Sequence, residues 1–531
     1  MNILQKHFSP YHLFLLGILL HLVVVLQPAA FVTHDGPSHL YNAHIINQIL
    51  FSEGSIHEQY HALNPNWLQP NLLGYLPLCL FQLFIPFLWA EKITVALYVL
   101  LFSFGFRFFL KQVSPRPNWY ALLALPFIFN VVLFWGFFNF LFALALSFYL
   151  LGSYEKYLNK PGMRSILLLL FLSLLVFYSH VLVFVFCGIY VFIRQIHTLI
   201  SAKTWTPMSF WNIFKPALFL LPGALLFLLY LSKQTSEAAG TTEVFDLGDR
   251  LDNLWLKIES LSFSGYSEGA YVVPMYLIIL LLAGAKILHD KRRKISLWSV
   301  SFLVMLFFLF ALLFTPNAAA GGSVIIPRLN LVFFLFLLVW IAKQDLTRPV
   351  KWMLGIYFIW SLPLLVQRYS FIQAASLQST HVMEATLPFL QKNTVISSVH
   401  YKPVSRYLGD YQIHTYFDMM SNIDHYAALA RGCLTLHNYE ADRPVDNSYF
   451  PVIWKDTAMV DIIWDRSLPD QAAEYIQLDT LLSHAYPLPV FSLNIGEPMH
   501  NPAAQKIWDS LNRYEMVAQD SVSFLTIYRL R

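Results

Sequence analysis

A carboxylate near the start of the chain has the clearest capacity for chemistry. Asp35 lies in a stretch, 32–71, that contains no Lys or Arg and directly follows a long apolar segment. Its neighbours are Thr33, His34, Gly36, Pro37, Ser38 and His39. A carboxylate held beside a Gly-Pro turn at a membrane surface can accept a proton from a hydroxyl or amine while that group attacks a substrate carbon. We therefore interpret Asp35 as a candidate general base.

Two other interpretations of this motif stay open. Asp35 and Ser38 are residue types that commonly form turns and cap the start of a helix. His34, Asp35 and His39 could also bind a metal ion, but the sequence offers no compelling further ligand. We therefore do not favour a divalent metal, and we predict no certain cofactor.

Arg328 is the second candidate, because it places a permanent cation at the mouth of an apolar segment after a Gly-Gly-Ser turn. Guanidinium binds phosphate oxygens in a bidentate manner, so Arg328 could hold a phosphate leaving group as it gathers negative charge. The alternative is an arginine whose charged end reaches the lipid headgroups.

Two further polar residues interrupt apolar sequence. Asn139 and His180 each lie at a junction between two apolar segments. Ionisable residues at membrane depth are costly and tend to face cavities, so His180 is a candidate substrate contact. Asn139 is a second candidate, as a polar residue on the same face. Helix capping is the alternative for Asn139, and a packed, hydrogen-bonded histidine is the alternative for His180.

The composition requires a lipid environment. Of the 531 residues, 57% are hydrophobic and only 12% are charged, and the net charge is +4. A soluble domain has about a quarter of its residues charged. No basic domain stands out, so nucleic acid is not an expected partner, and no Walker-type loop occurs.

Apolar runs of this length are expected to be helices, because lipid leaves backbone groups no other partner. Leu72–Trp89 is interrupted by Gly and Pro and is predicted to be juxtamembrane or re-entrant. The run 164–194 is too long for one crossing, so we divide it at Ser179 and His180. We predict about eleven spans: 11–31, 92–110, 119–135, 137–153, 165–179, 181–196, 216–232, 271–289, 296–314, 327–342 and 350–367.

The distribution of Lys and Arg sets the orientation. With the N-terminus in the cytoplasm, basic residues concentrate in the cytoplasmic segments, as the positive-inside rule requires. This topology places Asp35, Asn139, His180 and Arg328 on the opposite face. It also places there the loops 32–91 and 233–270; the second could be a solvated loop or a mobile lid.

From about residue 370 the composition becomes that of a soluble domain. Short strand-like runs occur at 394–399, 450–454, 461–464 and 521–528, with helical patterns around 379–391 and 502–513. The fold class is therefore predicted to be mainly α. Residues 1–369 form a polytopic transmembrane helix bundle with juxtamembrane helices, and residues 370–531 form an extracytoplasmic α/β domain.

This layout resembles the GT-C superfamily of membrane glycosyltransferases, such as protein O-mannosyltransferases and aminoarabinose transferases. At the level of individual residues, the resemblance rests on Asp35 and its neighbours. It implies that Asp35 is the catalytic base and that an extracytoplasmic basic residue, here Arg328, binds the phosphate of the donor. Many members have two adjacent acids at this point. Here Gly36 follows Asp35, so the second acid of a two-carboxylate mechanism is not present at this position.

The resulting hypothesis is a glycosyltransferase that moves a hexose or pentose from a polyprenyl-phosphate donor to a glycan, lipid or protein acceptor. Asp35 would be catalytic, and His34, His39, Asn139, His180 and Arg328 would contact substrate. The expected location is a bacterial inner membrane with a periplasmic C-terminal domain. Two rivals are a transporter or lipid flippase, although no repeated halves are evident, and a non-catalytic assembly protein.

Overall fold

The computed structural model describes the larger part of the chain. The described residues are 9–66, 68–203, 206–233, 248, 268–293, 298–317, 324–400, 419, 422–436, 438–441, 450–455, 490–495, 512–522 and 525–531. The chain divides into two compact units. Unit 1 comprises Met1–Val25 and Val95–Tyr369, and unit 2 comprises Leu26–Thr94 and Ser370–Arg531. The predicted division into 1–369 and 370–531 stays a prediction.

Long apolar helices dominate the described residues. Six are long and apolar enough to cross a membrane, and four shorter apolar helices accompany them. The chain is therefore an integral membrane protein. The six are Phe87–Val113, Phe138–Asn159, Val181–Ala202, Pro207–Ser232, Gly269–Arg293 and Arg348–Thr386. The four shorter ones are Pro10–Leu26, Met163–Ser179, Val300–Phe314 and Ile325–Ile341.

The predicted break at His180 is confirmed. One helix ends at Ser179 and the next begins at Val181, with His180 in an extended conformation between them. The prediction for Phe87–Trp89 is wrong in one respect, because these residues begin the helix Phe87–Val113 instead of ending a separate juxtamembrane segment.

The segment predicted as one apolar helix at 119–135 is not continuous. The structure has a short α-helix Pro117–Tyr120, a 3-10 helix Ala121–Phe127 and a second short helix Val131–Phe134. Pro126 lies inside the 3-10 helix and cannot donate a backbone hydrogen bond. Asn130 then accepts a hydrogen bond from the Leu133 N–H and starts a new helix. The number of spans therefore stays a prediction.

The apolar segment at 207–233 also changes its helical geometry. It consists of α-helix Pro207–Phe214, 3-10 helix Lys215–Leu220 and α-helix Leu221–Lys233.

Small residues bring two helices of unit 1 into close contact. A Cβ atom on Gly105 would lie 2.9 Å from the Ala145 carbonyl oxygen and 2.7 Å from the Tyr149 ring. Such close approach is typical of helices that pack in lipid, where van der Waals contact stabilises association. The aromatic rings of Phe102 and Phe106 pack on Phe148 with centroids 5.7 and 5.2 Å apart.

Unit 2 contains the helices that follow the first apolar segment. They are Gly36–Phe51, Ile56–Tyr60 and Tyr75–Gln82. A further helix, Asp424–Arg431, lies between two strands and ends at Gly432, whose φ of +65° suits glycine.

Seven strands occur among the described residues, all in unit 2. They are β1 (His61–Leu63), β2 (Val395–His400), β3 (Leu434–Thr435), β4 (Val452–Trp454), β5 (Val490–Ile495), β6 (Tyr514–Asp520) and β7 (Leu525–Leu530). Five of them form a mixed sheet in the order β3-β2-β5-β7-β6. β2 is parallel to β3 and β5, whereas β7 is antiparallel to β5 and β6. β1 pairs with β4 in a separate antiparallel pair.

The predicted strand-like and helical runs agree with the structure to different extents. β2 overlaps the predicted run 394–399 and ends one residue beyond it, β4 falls within the run 450–454, and β7 begins four residues into the run predicted at 521–528. The helical pattern at 379–391 is the end of Arg348–Thr386. The run 461–464 and most of 502–513 lie outside the described residues. The α/β domain over the whole of 370–531 stays a prediction.

Candidate active site

The segment that leads to Asp35 is fixed by hydrogen bonds within unit 2. The Lys92 ammonium donates to the carbonyl oxygens of Leu26 at 3.1 Å and Pro28 at 2.9 Å. The Asn422 side-chain amide donates to the His34 carbonyl oxygen at 2.7 Å. These contacts hold the backbone on the N-terminal side of Asp35, so that its carboxylate has a defined position.

Asp35 occupies the N-cap position of the helix Gly36–Phe51, but its side chain makes no capping hydrogen bond. Thr33 supplies a hydroxyl oxygen instead, which accepts from the Gly36 N–H at 3.0 Å. Pro37 lies in the first turn, where a residue without an N–H fits well. Since Thr33 satisfies a helix N–H, the Asp35 carboxylate is left for other contacts.

Those contacts create an unusual environment for an acid. Asp35 is only 8% exposed. Burial raises the pKa of its carboxyl group, with Glu440 acting in the same direction, while His34, His39 and a hydrogen bond from Tyr439 oppose the rise. The His34 Nε2 lies 3.7 Å from the Asp35 Oδ1. A carboxyl with a raised pKa is a stronger proton acceptor than an exposed one, which suits a general base.

A second carboxylate lies beside His39. The Glu440 side chain is 0% exposed, and its Oε1 is 2.7 Å from the His39 Nδ1. The Tyr75 hydroxyl donates to the Glu440 Oε2 and lies 3.0 Å from the same His39 nitrogen. Glu440 is thus a buried acid with an imidazole and a phenol as partners, the arrangement that buried charges require.

Asn42, about one turn after His39 in the same helix, also contacts Glu440. Its amide nitrogen donates to the Glu440 Oε2 at 2.9 Å and to the Asn438 Oδ1 at 3.0 Å. Asn438 donates back to the Asn42 Oδ1 at 2.9 Å. Because both residues are fully buried, this reciprocal pair fixes the segment 438–441 against the helix.

A second cluster lies in unit 1 and contains the other predicted substrate contacts. The Arg328 guanidinium lies over the Phe137 ring at 4.3 Å and over the Phe140 ring at 5.6 Å. The His180 ring meets Phe140 edge-on, with centroids 5.3 Å apart. Asn139 precedes Phe140 in the first turn of Phe138–Asn159 and is buried. Arg328 and His180 therefore meet the ring of the same residue, Phe140, and Asn139 is its neighbour in the chain.

The alternatives for these residues are partly resolved. The N-cap residue of Phe138–Asn159 is Phe137, so capping does not explain Asn139. His180 does act as a cap, because its Nδ1 accepts from the Leu182 N–H at 3.2 Å. The Arg328 guanidinium is held over the rings of two aromatic residues, Phe137 and Phe140. The roles in catalysis stay predictions.

Sequence analysis missed the partners of Asp35 and His39. Asn42 was recoverable, because positions 35, 39 and 42 share one face of a helix. Glu440, Tyr439 and Asn438 were not, since a short polar run between strand-like segments is typical of any turn. Most of the predicted lid, 233–270, lies outside the described residues. In the described ranges no three His, Cys, Asp or Glu side chains are grouped to hold a metal ion.

Comparison with solved structures finds chains of similar architecture. The crystal structure of ArnT from Cupriavidus metallidurans in the apo state is similar over 97% of this chain and 97% of that chain, with a TM-score of 0.37 and 11% sequence identity. A likeness at that level does not bear on activity. No protein-family model and no curated protein sequence matches the chain.

Proposed function

We propose that this protein is an integral membrane glycosyltransferase that moves a sugar from a polyprenyl-phosphate donor to an acceptor at the extracytoplasmic face. The observation that carries the proposal is the Asp35 carboxylate, which is buried at the start of a helix and makes no capping bond. A buried acid needs partners, and His34, His39 and Tyr439 provide them. A buried carboxyl group with a raised pKa destabilises the folded protein, and such a group is typical of a functional site.

The reaction we propose is a single displacement. The oxygen or nitrogen of the acceptor attacks the anomeric carbon and forms the new glycosidic bond. The bond between that carbon and the phosphate oxygen breaks, and the lipid phosphate leaves with the bonding electrons. The acceptor proton passes to Asp35. A single displacement inverts the configuration at the anomeric carbon.

Arg328 is proposed to bind the phosphate. Phosphate gains negative charge as the sugar leaves, and a fixed cation stabilises that charge more strongly in a site sheltered from water. The rings of Phe137 and Phe140 hold the guanidinium, which limits its motion and reduces the entropy lost on binding. His180, which packs on Phe140, and Asn139, in the first turn of the same helix as Phe140, would contact the sugar.

A direct assay distinguishes the transferase from a transporter. The purified full-length protein in nanodiscs is mixed with a polyprenyl-phosphate pentose or hexose and a total glycolipid extract as acceptor. The transferase proposal expects release of free polyprenyl phosphate and a new glycosylated product, and it expects no use of nucleotide sugars. A transporter moves the intact lipid-linked sugar across a proteoliposome membrane without cleaving it. That result would replace the proposal.

A further inference from the structure

Three consecutive residues from the C-terminal part of the chain meet one face of the Asp35 helix. Tyr439 donates a hydrogen bond to Asp35, Glu440 lies against His39, and Asn438 pairs with Asn42. Positions 35, 39 and 42 are spaced by four and three residues, which places them on one side of a helix. The contacts all lie within unit 2.

We propose that Tyr439 and Glu440 are positioning residues for the Asp35 carboxylate, Tyr439 by a direct hydrogen bond and Glu440 by holding His39. This inference rests on the proposed function, in which Asp35 is the base. It adds that the C-terminal segment supplies part of the active site. It also gives the second carboxylate that Gly36 does not provide.

The Tyr439 contact favours the ionised base. A hydroxyl that donates to a carboxylate stabilises its charged form. Burial and the neighbouring acids Asp35 and Glu440 raise the pKa of Tyr439, so its phenol keeps its proton and remains a donor. Edge-on packing of the Tyr439 ring on Phe450, with centroids 5.9 Å apart, fixes its direction.

The Glu440 contact acts through the imidazole. The His39 Nδ1 faces both the Glu440 Oε1 and the Tyr75 hydroxyl, so the ring cannot rotate without losing two partners. A carboxylate beside an imidazole fixes the orientation of the ring. His39 lowers the pKa of Asp35 and Glu440 raises it, so a fixed His39 offsets the effect of Glu440.

Among the described residues, five charged or titratable groups interact with Asp35. They are His34, His39, Tyr75, Tyr439 and Glu440. A variant that alters one of them without changing the side-chain volume should shift the pH dependence of turnover. A purely structural role would change stability and leave the pH dependence of turnover in place.

The test is the pH profile of kcat for Tyr439→Phe in the full-length protein. The base is active when deprotonated, so turnover rises with pH through the Asp35 pKa. Loss of a hydrogen bond to the charged form raises that pKa, and we expect the acidic limb to move up by about one pH unit. Tyr60→Phe, at a tyrosine outside this contact, is the matched control and should keep the wild-type limb.

Glu440 is tested by coupling to His39. His39→Gln and Glu440→Gln should each lower kcat, and the double variant should lose less than the two single losses combined, because the main effect of Glu440 passes through the imidazole. Additive losses would overturn that part of the proposal. If Tyr439→Phe does not purify as a monodisperse sample, the Glu440→Gln profile decides, and a wild-type profile overturns the proposal.

Failure of this inference is separable from failure of the proposed function. If Asp35→Asn turns over normally, the proposed base is wrong and the inference falls with it. If Asp35→Asn is inactive while Tyr439→Phe and Glu440→Gln both keep the wild-type limb and kcat, only the inference is overturned. In that case the C-terminal segment serves stability alone.

Discussion

The Nδ1 of His39 lies 2.7 Å from the Oε1 of Glu440, so a residue near the start of the chain and one near its end form a buried contact. The Tyr75 hydroxyl and the Asn42 amide also donate to Glu440. This contact joins the segment 438–441 to the helix that Asp35 begins. The C-terminal part of the chain is therefore built into the surroundings of the candidate base.

Removing the Glu440 side chain should destabilise unit 2. Glu440→Ala removes the acceptor of the Tyr75 hydroxyl, one acceptor of the Asn42 amide and the carboxylate beside His39, and we expect a loss of about 3 kcal/mol in the free energy of unfolding. Thermal melting in detergent measures the effect. Glu53→Ala is the control, because Glu53 is an exposed acid. Equal melting temperatures for the two variants would contradict the interpretation of Glu440 as a buried partner.

The raised pKa of Asp35 predicts the acidic limit of activity. Burial is the main cause of the shift, and His39 opposes it. We expect kcat/KM to fall on acidification at a pH above about 3.9, the usual value for an exposed aspartate. Replacing His39 by Gln removes an opposing charge, so the limb should move to still higher pH. A limb that moves to lower pH in His39→Gln would contradict the assigned cause.

Arg328 should affect binding of the donor. Arg328→Ala removes the cation, whereas Arg328→Lys keeps the charge and loses the planar, bidentate guanidinium. We expect affinity for polyprenyl phosphate to fall in the order wild type, Lys, Ala, with a loss of roughly tenfold or more for Ala. Arg348→Ala, at an exposed arginine of the same unit, is the control. Unchanged affinity in Arg328→Ala would remove the phosphate site.

A buried ion pair in unit 1 should contribute to stability. Arg368 and Glu268 are 3% and 1% exposed, with their Nε and Oε1 atoms 3.3 Å apart. Arg368→Met leaves an uncompensated buried carboxylate, at a cost of about 3–5 kcal/mol. The double variant Arg368→Met, Glu268→Leu should recover much of that loss in thermal melting. A double variant no more stable than the single one would show that the pair does not act as a unit.

His61 should make the protein sensitive to acid. Its ring is fully buried and stacks on Trp454 at 4.1 Å, and burial lowers its pKa from 6.5 to about 3. The folded pKa is below the unfolded one, so acid protonates the unfolded state first. Stability from the neutral ring is complete above the unfolded pKa and is lost as the pH falls toward the folded value.

Replacing His61 by Phe keeps a stacked ring and removes the titration. Between pH 6 and pH 4 we expect the free energy of unfolding to fall less steeply in the variant than in wild type. The difference in slope should be up to about 1.4 kcal/mol per pH unit. The free energy of unfolding at several pH values measures this. His12→Phe, at an exposed histidine, should leave the slope unchanged. A wild-type slope in His61→Phe would exclude His61 as a source of acid sensitivity.

Local sequence signals predicted the elements that depend on local chemistry. The break at His180 followed from the length of an apolar run, and the helix after Asp35 followed from its Gly-Pro start. The interruption at Pro126 and Asn130 carried a local signal too, since proline and a capping residue lie within one apolar run. Apolar length outweighed those signals in the prediction of a single span at 119–135.

The partners of the candidate base could not be predicted in this way. Glu440 and Tyr439 lie in a polar turn, and only the packing of unit 2 brings them to His39 and Asp35. Contacts between distant segments leave no periodic trace in one sequence, because hydrophobic spacing reports the face of an element and not its neighbour. The candidate base could therefore be predicted from the sequence, whereas the residues that shift its pKa could not.

The most direct test of the proposed chemistry compares Asp35→Asn with wild type in the release of polyprenyl phosphate from a lipid-linked sugar. Glu53→Gln serves as a matched acid-to-amide control. Removing a general base should lower kcat by at least about a hundredfold while donor affinity and melting temperature stay near the wild-type values. Undiminished turnover by Asp35→Asn would contradict the account.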